Sequence, residues 1–126
     1  MKFLCLAYGV EKDWNVLSKA QQDALLETDE MLKKRGDLVV ALRNEPTTLT
    51  AWDGMPSVTQ GPYASSKAPL AGFSIIEAAD LKEAYRLVKD SPCARAGGAI
   101  EIRPIGAMNE DATPCESDQL KVAETE

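Results

Sequence analysis

The chain has 126 residues, 44% of them hydrophobic and 27% charged, with a formal net charge of −6. That length and balance suit one globular domain with a real core. The acidity speaks against a phosphate-gripping surface, so no nucleic-acid partner is expected. No apolar stretch approaches the roughly 20 residues of a membrane span, so no membrane partner is expected either.

The charge is uneven. Residues 107–126 carry −5 and leave −1 for residues 1–106, so a near-neutral domain over 1–106 and an acidic C-terminal tail over 107–126, expected to be mobile, are predicted. Cys5, Cys93 and Cys115 are odd in number and lack CxxC spacing. With only Met1–Ala7 as an apolar start, too short for a secretory segment, they point to a reducing compartment and a cytoplasmic location. Histidine is absent. Ser-His-Asp and Cys-His machinery and histidine-based metal sites are therefore unavailable, and no metal or cofactor is expected. Proton transfer would fall to Glu, Asp, Lys, Tyr or Cys.

In chain order, Lys2–Tyr8 alternates Phe3, Cys5 and Ala7 with Leu4, Leu6 and Tyr8, a strand apolar on both faces and hence central. A short helical turn is expected over 13–17. Ser18 with Gln21 forms a capping box for a helix over 19–35, which carries Leu25, Thr28, Met31 and Leu32 on one stripe and stops at Gly36. Strands follow over 37–42 and 48–52. Asp53-Gly54 is a hairpin turn signal, with 56–60 returning antiparallel and Pro56 limited to the strand's first residue or an edge. The 70–78 run is apolar on both faces. Asp80 and Glu83 cap a helix reaching Lys89, with Leu81, Ala84, Tyr85, Leu87 and Val88 inward. Ala99–Pro104 is the last strand.

With the hairpin set aside, the order is βαββαβ, an α+β, ferredoxin-like split βαβ with an inserted β-hairpin. Helices cover one face of such a sheet. The other face would be apolar and open, and a homodimer with sheets face to face is the economical cover.

Gly61-Pro62-Tyr63, Lys67, Leu70-Ala71-Gly72-Phe73, Asp80-Leu81-Lys82-Glu83-Ala84, Gly98 and Glu101-Ile102-Arg103-Pro104-Ile105 together resemble the YCII-related superfamily, specifically its DGPF branch. The likeness spans 1–106 and implies a dimeric α/β-barrel. Gln60 stands at the family's leading Asp, Tyr63 at its Phe, and Ser65 and Ala68 at two glutamates. Some YCII-type relatives are associated with a His–Asp pair in lyase chemistry such as dehydrochlorination, which a chain without histidine cannot supply. The DGPF branch is also associated with extracytoplasmic-function sigma factors.

Catalytic residues are not assignable, and whether the chain is an enzyme stays open. Tyr63, Lys67, Glu101 and Arg103 are the ligand-binding candidates, since Arg presents a planar fork to an anion and the four fall at the ends of apolar strands. Each also has a plainer reading. Glu101 and Arg103 would be an ion pair on an edge strand, Tyr63 an aromatic closing one end of the barrel, and Lys67 a solvated loop residue. Trp52 and Phe73 read as core or interface, and Gly97-Gly98 has no phosphate-cradle context. Two functions follow: a homodimer binding a small, anionic molecule in a cleft, or a non-catalytic regulatory partner of another protein, such as a sigma factor.

Overall fold

A computed structural model describes residues 1–108. The acidic segment expected from 107 onward therefore lies, beyond residue 108, outside the described residues.

The elements are β1 (Lys2–Tyr8), α1 (Glu11–Asn15), α2 (Lys19–Arg35), β2 (Leu38–Ala41), β3 (Thr47–Thr50), β4 (Ser57–Gln60), β5 (Leu70–Glu77), α3 (Leu81–Val88), α4 (Pro92–Arg95) and β6 (Ala99–Pro104). A four-stranded sheet runs β2-β5-β1-β6, with antiparallel pairing throughout, and β3 and β4 pair separately. The two strands apolar on both faces, β1 and β5, are the central ones. This is the order a split βαβ unit produces.

Local chemistry sets the helix ends. The Gln21 N–H donates to Ser18 Oγ at 3.1 Å, and the Ser18 N–H donates back to Gln21 Oε1 at 2.8 Å. At the far end Gly36 takes φ 96°, where its N–H reaches Lys33 O and the Asp37 N–H reaches Leu32 O, a glycine-dependent stop. Asp80 accepts from the Glu83 N–H at 2.8 Å, while Glu83 bonds the Ala79 N–H rather than that of Asp80.

Register shows which sheet face the helices cover. Phe3 pairs with Ile76 and Pro104, and Cys5 pairs with Ser74 and Ile102. Phe3, Cys5 and Ile76 are buried with Leu32, Ala78, Ala84 and Val88. The opposite face carries Leu4, Leu6, Val40, Phe73 and Ile75, with Glu101 and Arg103 beside Leu6 and Leu4. None of these seven is buried.

Four expectations shift. The first helical turn lies at Glu11–Asn15, and the strand after Pro56 begins at Ser57. On α3 the small Ala84 lets the helix lie close to the sheet, so Ala84 and Val88 are buried while Leu81 and Tyr85 stay exposed. On α2 Leu32 is buried and Leu25 and Thr28 are half-buried as expected, whereas Met31 is exposed.

Asp37 ties α2 to β5. Its side chain is 7% exposed, one oxygen accepts the Glu77 N–H at 3.1 Å, and the other lies 3.5 Å from Arg35 Nε. Arg35 also donates to Glu77 O at 2.6 Å. Arg35→Met is expected to cost about 2 kcal/mol, because it leaves a buried carboxylate oxygen without its cation. Urea denaturation measures this. A loss below about 0.5 kcal/mol would show that solvent replaces the guanidinium.

Candidate functional site

Across the helix-covered face the side chains shrink from one end of the sheet to the other. The Ile76–Phe3–Pro104 row is bulky, and the next is Val39–Ser74–Cys5–Ile102. The last is Ala41–Gly72–Ala7–Ile100. Gly72 has no room for more, since a Cβ there would lie 2.5 Å from Val40 O. Helices resting on the bulky rows leave the small row underfilled. A cavity of about 150 Å³ remains between this end of the sheet, α2 and α4.

Its lining is mostly apolar, with five groups capable of chemistry: Asp29 from α2, Cys5 and Ser74 from the sheet floor, and Ser91 and Cys93 at the start of α4. Ser91 Oγ donates to Val88 O at 2.6 Å and is satisfied there. The Cys5 thiol bonds the Ser74 side chain, yet burial pushes it above its usual range and nearby Asp37 adds to this. Burial also pushes the Cys93 thiol up, and the Asp29 carboxylate reinforces the shift. Both sulfurs are therefore held as neutral thiols near neutral pH, not as thiolate nucleophiles. Asp29 is raised above its usual range, chiefly by burial and also by Glu30, against the opposing pull of Lys33. A carboxyl so placed accepts a hydrogen bond from a ligand and can exchange a proton with it. Among the described residues no group of three or more His, Cys, Asp or Glu could hold a metal ion, and no helix is long and apolar enough to cross a membrane.

The four residues singled out from the sequence lie elsewhere. Glu101 and Arg103 pair with each other on β6, an edge strand, on the face away from the helices. Tyr63 is exposed and borders a shallow depression formed with Pro46, Thr48, Trp52 and Pro62. Lys67 is exposed in the loop before β5. None of the four lines the Asp29 cavity.

The profile of the YCII-related domain matches residues 1–109. The chain belongs to the YCII-related family. An uncharacterised protein of Rhizobium meliloti (strain 1021) is 28% identical over 123 residues, which is 90% of this chain and 99% of that protein. Among solved structures, a 5-chloro-2-hydroxyhydroquinone dehydrochlorinase from Burkholderia phenoliruptrix, in complex with 2,5-dihydroxybenzoquinone, is 21% identical. That likeness covers 89% of this chain and 100% of the other, with a TM-score of 0.47.

For this YCII-related chain, sequence reasoning missed Asp29 and Cys93. Leu25, Asp29 and Leu32 stand at i, i+4 and i+7, so a carboxylate falls within an apolar stripe, which was a readable signal. Ser91-Pro92 before Cys93 was another, an N-cap residue followed by proline at the first helical position.

Asp29 also governs a pH dependence. Its folded value lies above the unfolded 3.8, so the native state binds more protons in that window. Its contribution to stability is lost as pH rises from 3.8 through the folded value. Asp29→Asn is expected to be more stable than wild type at neutral pH, with the gap closing as pH falls towards 3.8. Urea denaturation across that range measures the difference. A constant gap would remove the link to ionisation.

Proposed function

We propose that this protein binds a small, neutral, largely apolar molecule in the Asp29 cavity, and does so as a homodimer. The carrying observation is the Asp29 carboxyl set against an apolar cavity of about 150 Å³. Cavities of about that size accept a benzene-sized molecule. A ligand with one hydroxyl or amine proton would satisfy Asp29 and fill the space above Ala7 and Gly72. The cavity's one ionisable oxygen group is acidic, which disfavours an anion, and Arg103 already has Glu101 as its partner. The ligand therefore moves from the Tyr63, Lys67, Glu101 and Arg103 set to the space beneath the helices. Proton exchange at Asp29 gives the site a means of general acid–base catalysis.

Dimerisation is carried by the uncovered face. Leu4, Leu6, Val40, Phe73 and Ile75 form a contiguous apolar patch across three strands, and such a patch marks an interface. In a face-to-face pair the Glu101–Arg103 ion pair would lie beside Leu6 and Leu4 at that interface. Placement in the DGPF branch belongs to the same reading and rests on Gly61-Pro62-Tyr63 and Glu101-Ile102-Arg103-Pro104.

Phenol is a suitable probe, with benzoate as its anionic counterpart. Isothermal titration is expected to show phenol binding the wild type more tightly than benzoate. Asp29→Leu should weaken phenol binding by about 1.5–3 kcal/mol, the loss of a hydrogen bond to a charged group, while Arg103→Ala should leave it unchanged. Equal phenol affinity in wild type and Asp29→Leu would reject the site. For the dimer, Leu6→Asp is expected to sediment as a monomer at concentrations where wild type is dimeric. A wild type that is monomeric throughout would refute that part.

A further inference from the structure

The β3–β4 hairpin is an arm with a face of its own. Register sets Leu49 opposite Val58, and both point to the same side as Thr47 and Gln60, while Thr48, Thr50, Ser57 and Thr59 occupy the other. Trp52 and Met55 form its tip. There Asp53 and Gly54 both take left-handed φ, 56° and 75°, which turns the chain back. Leu49, Trp52, Met55 and Val58 are 64–73% exposed, and among the described residues the arm packs extensively on no other element. Its base is closed by the Gly61 N–H donating to Pro46 O at 2.9 Å, and the strand leading into it is pinned by the Leu42 N–H donating to Ala71 O at 2.9 Å.

A lone two-stranded hairpin is marginal in water, and an apolar face does not support itself. Something must cover it. Between Pro46 and Pro62 the only charged residue is Asp53, so the arm offers little to a charged partner. The size of the sheet points the same way. Four strands about 4.8 Å apart, the longest central pair seven or eight residues at about 3.3 Å each, give the open face a footprint of roughly 400 Å². A stable interface needs about 800 Å² from each partner. A face that short and narrow falls short of that on its own. One arm given and one received, each two strands wide, supply area of the missing order. Such an exchange is the self-complementary pairing that two-fold symmetry requires.

We propose that the β3–β4 arm packs its Leu49–Val58 face and Trp52–Met55 tip against a second copy of this chain, extending the sheet-to-sheet contact at its margin. This rests on the homodimer proposed above. It adds that the arm, not the sheet face alone, holds the pair together.

The test uses the full chain with Trp14→Phe, which leaves Trp52 as the sole tryptophan. Its emission is followed from low-micromolar to submillimolar concentration alongside sedimentation equilibrium. Trp52 emission should move to the blue as the dimer forms. Leu49→Ser combined with Met55→Ser should raise the dimer dissociation constant by about tenfold or more, with circular dichroism unchanged. If Trp52 keeps the emission of a solvated indole where sedimentation shows a dimer, the arm inference fails and the homodimer stands. The arm inference fails in the same way if the arm variant dimerises with wild-type affinity, or if Trp52 is buried only by some other protein. A chain monomeric at every concentration overturns both.

Discussion

The sheet has more apolar surface than its helices can cover. β1 and β5 alternate apolar side chains on both faces, and α2, α3 and α4 follow them on one side only. On that side the helices rest where the sheet is thickest, over Phe3 and Ile76, and they leave a gap where it is thinnest, over Ala7 and Gly72. Both the cavity and the uncovered apolar face come from this single mismatch between strand and helix surface. Hydrophobic burial is non-directional, so it drives the two layers together without filling every row.

Asp29 stands in that gap at a cost. A partly buried carboxyl in a mostly apolar lining is worse for the fold than an amide or an alkyl group of similar size. A site that lowers stability in this way is where a function is to be sought. The two thiols belong to a different category. Cys5 and Cys93 line the same space but are neutral and act there as small hydrophobes. The Cys93 sulfur would lie 3.1 Å from a Cβ placed on Gly9, so it also fixes how closely the chain after β1 passes α4.

Much of the architecture was legible because short-range chemistry marks it. Ser18, Gln21 and Gly36 bound α2, and Gly97-Gly98 and Pro104 bracket β6. Gly98 is explained by packing rather than ligand binding, because a side chain there would strike Tyr8 O. The short α4 has too few residues to show a period. The cavity was illegible for another reason. It exists only because Ala41, Gly72 and Ala7 fall into one row, and that alignment joins segments some 30 residues or more apart. The candidate residues read from strand ends lie on a different face from the cavity. Glu101 and Arg103 alternate away from the helices, whereas Ile100 and Ile102 point under them.

The position of β1 has a consequence for how the molecule comes into being. Within the domain this central strand precedes every other element, yet its neighbours β5 and β6 are the last of the sheet, with Phe3 set beside Ile76 and Pro104. A nascent chain must therefore carry an unpaired, two-sided apolar strand until nearly the whole domain has emerged. Such long-separation pairing slows folding and leaves a sticky edge open meanwhile. Placing β1 after β6 by circular permutation would shorten that wait while keeping the same strand pairings.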